Sequence, residues 1–151
     1  HWQDIYIQSD VQNLTFNDCV FTKGSGWAVQ LWGGDQQDFF TPSRNISFNN
    51  TYIDVTQGQL PIVIGSGYSG VSFQNTTIKA RDNSVYGDVV RVYGGHDVTF
   101  DGFDVTGGEV LAYVYSDDYS SYVFRNGSFD GEMWEYNDTA DQVSIEASEK
   151  R

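Results

Sequence analysis

The 151-residue chain has one cysteine, one methionine, two prolines and only 8 basic side chains against 21 acidic ones. A lone Cys19 excludes an internal disulfide framework and any zinc site built on several cysteines. A formal charge of −13 has the wrong sign for attraction to phosphate, so neither nucleic acid nor an anionic membrane surface is an expected partner. No apolar run approaches the roughly 20 residues of a bilayer-spanning helix, so no membrane span is expected. No segment combines helical apolar spacing with capping residues. Aromatics, by contrast, make up 16% of the chain, too many for a solvated disordered polymer. The length fits a single domain over residues 1–151, or one segment of a larger protein. The chain begins at His1 without a signal-like apolar stretch, so the expectation is a processed subunit or a segment of a longer precursor.

Internal repeats organise the sequence. Five segments align on a central phenylalanine: NLTFNDCVF, NISFNNTYI, GVSFQNTTI, DVTFDGFDV and SYVFRNGSF. Their anchors, Phe16, Phe48, Phe73, Phe100 and Phe124, lie 32, 25, 27 and 24 residues apart, and QVSIEAS is a weaker sixth copy anchored on Ile145. An apolar residue stands two before each anchor (Leu14, Ile46, Val71, Val98, Tyr122, Val143). Another follows five after it (Phe21, Ile53, Ile78, Val105, Phe129). Period-two alternation predicts strand, not helix. Two residues after the anchor come Asp18, Asn50, Asn75, Gly102 and Asn126. These residue types tolerate a left-handed backbone, so a sharp bend is expected there. Asparagines stacked at such a bend can hydrogen-bond along the stack.

Between the anchors lies a second strand type: IYIQSD, VQLWGG, IVIGSG, VRVYGG and AYVYSD, with WEYND as a poorer sixth copy. Its expected inward pairs are Ile5/Ile7, Val29/Leu31, Ile62/Ile64, Val90/Val92 and Ala112/Val114. Cys19 falls in the slot shared by Thr51, Thr76 and Phe103 and is expected to be a rung residue without a redox role. Repeating units of this kind predict an all-β solenoid in which each copy stacks on the last. The pattern in NLTFNDCVF and NISFNNTYI resembles the right-handed parallel β-helix of the pectin-lyase-like superfamily, over nearly the whole chain. The resemblance implies a right-handed parallel β-helix of about six coils. It implies little about function, because that superfamily includes lyases, glycosidases, epimerases, adhesins and phage spikes. The competing expectation is an antiparallel sandwich, with hairpin turns and strands every eight to twelve residues or so.

Neither end of the sequence carries an amphipathic helix or a polar capping coil, so uncapped ends are expected. The chain opens on a second-type strand (Ile5, Ile7) and closes on a first-type strand (Val143, Ile145). The last strand of one copy and the first of the next would complete a coil. That complementarity points to head-to-tail stacking into an open homopolymer. A piece of a longer β-helix, capped by its missing parts, is the alternative.

Six asparagines, Asn13, Asn45, Asn49, Asn75, Asn126 and Asn137, stand in N-x-S/T sequons, where about one or two would arise by chance. Covalent N-glycans and a secreted, extracellular setting are therefore expected. Tyr6, Trp32, Tyr93, Tyr113 and Tyr115 fall on or just past the outward side of second-type strands. That exposed aromatic row could bind carbohydrate or simply stiffen the sheet. For catalysis the candidate cluster is Asp88, Arg91 and His96, with Lys79 and Arg81 one turn earlier. A lyase needs a cation to neutralise a substrate carboxylate and a base to remove the adjacent proton, roles open to Arg91 and His96. A glycosidase needs two carboxylates at matched separation, for which Asp117 with Asp118, or Asp101 with Asp104, are candidates. GGHD and SDD are similar to polygalacturonase elements, but that family's aspartates precede its histidine, the reverse of the order here. Acidic turns such as Asp35 with Asp38 could take calcium but match no calcium-loop motif, so no metal or other cofactor is expected. The expected function is a structural subunit of an extracellular glycoprotein filament. A fragment of a polysaccharide lyase or glycoside hydrolase is the alternative.

Overall fold

A computed structural model describes residues 3–7, 11–22, 26–31, 43–65, 68–81, 87–114, 120–129, 132–136 and 143–149. The described residues hold fourteen strands, numbered in chain order, and no helix. One six-stranded sheet runs β1 (Gln3–Ile7), β4 (Trp27–Leu31), β7 (Leu60–Ile64), β9 (Asp88–Val92), β11 (Val110–Val114) and β13 (Glu132–Tyr136). A second runs β2 (Gln12–Asn17), β5 (Ser43–Asn49), β8 (Tyr68–Lys79), β10 (Gly95–Thr106), β12 (Ser120–Gly127) and β14 (Val143–Glu149). Short strands β3 (Val20–Thr22) and β6 (Tyr52–Asp54) pair with each other, and β6 with β8. Every one of these pairings is parallel, and neither sheet closes on itself. The chain alternates between the sheets, and each strand lies beside its counterpart from the next unit.

The registers explain why these sequences form these strands. Ile5, Val29, Ile62, Val90 and Ala112 are successive partners, as are Ile7, Leu31, Ile64, Val92 and Val114. In the second sheet Leu14, Ile46, Val71, Val98 and Tyr122 align. The β-branched members suit a pleated, packed surface. The anchor phenylalanines stack face to face: Phe16 on Phe48 at 4.8 Å, Phe48 on Phe73 and Phe73 on Phe100 at 4.5 Å, and Phe100 on Phe124 at 4.8 Å. Phe48, Phe73, Phe100 and Phe124 are buried, while Phe16 at the edge is half-buried.

The sixth unit departs from the expected frame. Ile145 pairs with Tyr122 and Ala147 with Phe124, so Ala147 holds the anchor position and Val143 lies opposite Ser120. Period-two alternation cannot distinguish frames shifted by two residues, because both keep the same side chains inward. The backbone pairing with β12 makes the choice.

Left-handed residues break the strands into legs. Asp18, Asn50, Asn75 and Asn126 have φ of 54–56° and Gly102 has 74°, the expected bend. A second bend sits three residues before the anchors, at Asn13, Asn45, Gly70 and Asp97, with φ of 54–64°. At each bend of β8 two consecutive residues face outward before alternation resumes, because one left-handed residue rotates the chain and resets its phase.

Two glycines make room for bulky rung residues. A Cβ on Gly95 would sit 2.9 Å from the Tyr122 hydroxyl, which donates to the Gly94 carbonyl inside the core. A Cβ on Gly127 would collide with the Phe103 ring, in the slot where Cys19, Thr51 and Thr76 stand in the preceding units. Cys19 is half-buried there and packs against the core.

Truncating the middle of the stack should cost more than truncating its edge. Phe73→Ala is expected to lose about 3–5 kcal/mol, and Phe16→Ala, already half-exposed, clearly less. Denaturant midpoints of the two variants test this.

Candidate functional site

Asp88 opens β9 and Arg91 follows three residues later. Arg91 Nε donates to Asp88 Oδ2 at 2.9 Å and Nη2 donates to Oδ1 at 3.1 Å, a bidentate pair with both side chains buried. Burial pushes the Asp88 carboxyl above the usual aspartate range, and the Arg91 contact pulls it part of the way back. A guanidinium on a residue only 6% exposed is not presented to a substrate carboxylate. His96 stands on the other sheet, exposed, opposite Ser69. The Lys79 ammonium lies 5.9 Å from the centroid of the Tyr52 ring, and Arg81 donates to the Gly58 carbonyl at 3.4 Å. The structure therefore joins Asp88 to Arg91 but does not gather the cluster into a cleft. Among the described residues no group of three or more His, Cys, Asp or Glu is arranged to hold a metal ion.

The paired-carboxylate candidates have separate partners. Asp101 accepts from Arg125 Nε at 3.0 Å and from Asn126 Nδ2 at 2.9 Å. The Asn126 amide and, second, the Arg125 guanidinium hold its carboxyl below the usual range. Asp104 accepts from the Ser128 hydroxyl at 2.8 Å. Asp117 and Asp118 lie outside the described residues.

The aromatic row is open only at its edge. Tyr6 is 45% exposed, whereas Tyr93 and Tyr113 are half-buried and have interaction partners. Trp32 and Tyr115 lie outside the described residues. At the centre of the same outward row, Gln30, Val63 and Arg91 are buried, and all five positions of β7 and of β9 are buried as well. The middle of this parallel sheet is covered on both faces, as parallel sheets usually are.

The exposed feature that repeats from unit to unit is the polar ladder at the bends. Asn50 Nδ2 donates to Asp18 Oδ1 at 3.1 Å, and Asn75 Nδ2 donates to Asn50 Oδ1 at 3.3 Å. Asn45 donates to Asn13 at 3.0 Å on the earlier bend, and Asn49 to Asn17 at 2.9 Å beside the later one. Of the six sequon asparagines, Asn13, Asn45, Asn75 and Asn126 thus occupy left-handed positions, Asn49 sits in a side ladder, and Asn137 lies outside the described residues. The earlier bend was missed from sequence, although Asn, Gly or Asp three residues before four of the anchors is a readable signal for it.

The later ladder breaks at Gly102. With no side chain there, Asn126 Nδ2 turns to Asp101, and a cavity of about 270 Å³ opens between Asn75, Asp104, Asn126 and Ser128.

Two outcomes follow for the charged groups. Asp88→Ala strands a buried guanidinium without its bidentate acceptor and should cost about 3–5 kcal/mol in chemical denaturation. Because the Asp101 pKa is lowered on folding, its contribution is present above the ordinary aspartate range and lost as pH falls through and below it. Asp101→Asn should therefore flatten part of the acid limb of a melting-temperature profile while leaving the neutral-to-alkaline slope unchanged.

Compared with known protein families, curated proteins and solved structures, the chain matches none, so its own geometry carries the functional argument.

Proposed function

We propose that the chain is a right-handed parallel β-helix of about six coils acting as a structural subunit of an extracellular, N-glycosylated filament. Alternation between two parallel sheets, each strand beside its counterpart from the next unit, supports the helical path. Crossovers between parallel strands of one sheet are right-handed in almost all proteins. The observation that carries the assembly reading is the edge formed by β1, β2 and β3, which no described strand pairs on its outer side. Ile5, Leu14 and Phe16, fully buried positions in later units, are only half-buried there, and Val20 is 65% exposed. Unpaired parallel edges of this kind are templates for another chain. A second copy presenting its β13 and β14 edge would lay β13 beside β1, which holds Ile5 and Ile7, and β14, which holds Val143 and Ile145, beside β2.

The buried Asp88–Arg91 pair supports a structural role, since it ties up Arg91, the cation placed at the centre of the candidate cluster. The sequons support the extracellular setting. Each ladder bond uses one of the two amide hydrogens of an asparagine, so a glycan replacing the other is compatible with the ladder. A glycan coat along the bends would hinder lateral association and leave the ends free.

Six coils at about 4.8 Å give an axial rise of about 29 Å per subunit. Electron microscopy of the purified glycoprotein should find unbranched filaments with that repeat, and Phe16→Asp should leave single subunits. Compact monomers at every concentration, or an unrelated repeat, would contradict the reading.

A further inference from the structure

The break in the bend ladder is a built concavity with its own chemistry. In each flanking unit the ladder position carries Asn, with φ of 54° at Asn75 and 55° at Asn126. Gly102 keeps the left-handed backbone, φ 74°, and omits the side chain. Asn75 Oδ1 consequently faces the gap, 2.8 Å from where a Gly102 Cβ would lie, and no described side chain donates to it. Asn126 is held out of the gap by its bond to Asp101. Thr77 and Ser128 add hydroxyls, and Asp104 adds a carboxylate whose other oxygen is not engaged by Ser128.

We propose that this notch binds one neutral sugar ring through the ring's hydroxyl groups. Among the described residues the lining is rich in acceptors and holds no cation, so it suits a ligand that donates several hydrogen bonds. A volume of about 270 Å³ lies just under the 300–1,000 Å³ or so typical of small-molecule sites, which fits a single ring and not an oligosaccharide. The Asp104 charge disfavours a uronate, whose carboxylate would meet a like charge in a partly desolvated site. A ligand of roughly a dozen non-hydrogen atoms should bind at about millimolar strength. The ring can arrive free or be carried on the sequons at Asn75 or Asn126.

The test is an amide chemical-shift titration of the unglycosylated chain with methyl galactopyranoside and, separately, its galacturonate counterpart. The neutral glycoside should give saturable shifts at Thr77, Gly102, Asp104 and Ser128, and the uronate should bind at least tenfold more weakly. Asp104→Asn should narrow that gap. Gly102→Asn, which pushes the flexible Asn75 amide aside and fills the notch, should abolish the shifts, while unchanged amide signals in the other units show that the fold is kept. In the glycosylated chain, the same amides displaced before any sugar is added would assign the chain's own glycan, and displacement only on addition would assign a free sugar. Absence of saturable shifts in both forms, equal binding of the uronate, or binding that survives Gly102→Asn would overturn the proposal.

Discussion

The face-to-face stack of anchor phenylalanines is the interaction on which the rest of the structure depends. Rings 4.5–4.8 Å apart match the spacing of hydrogen-bonded strands. The side-chain stack and the backbone ladder therefore enforce one register together. A slip of one residue would take every Phe, Ile and Val of a unit from the core to solvent. Once that register holds, each bend must fall directly over the one before it, and the polar ladders are a consequence. The same register places the Gly95 gap against Tyr122 and the Gly127 gap against Phe103.

Charge is distributed to suit this arrangement. The one ion pair with both side chains buried among the described residues is Asp88 with Arg91, and it is bidentate, the geometry that best offsets the cost of removing both charges from water. The half-buried acids Asp54 and Asp101 are instead stabilised by hydrogen bonds at turns and bends. Apart from Asp88, the acidic side chains whose burial is described (Asp4, Asp18, Asp54, Asp97, Asp101, Asp104 and Glu109) stay out of the core around the aromatic column.

Much of this was legible in the sequence because repeated parallel strands write their pairing as a period. The anchors, the inward pairs of the second strand type and the left-handed bend two residues after each anchor all appear at the registers the repeat implies. The final unit was placed two residues off, since QVSIEAS satisfies period two in either frame and only backbone pairing to Tyr122 and Phe124 decides. The burial of Gln30, Val63 and Arg91 was not legible either. Outward parity marks a side of the sheet, but what covers that side depends on tertiary packing. Likewise, Gly102 read as one more residue tolerant of a left-handed backbone. That its missing side chain opens a cavity depends on Asn126 turning away to Asp101, a contact between neighbouring columns of side chains.

We propose that the repeated units stack along one axis and that the stack continues from one subunit to the next. Fibre diffraction from aligned assemblies tests it most directly. Strands lying across the filament should place a sharp reflection at about 4.8 Å on the meridian. The same reflection on the equator, with strands along the filament, would contradict the account.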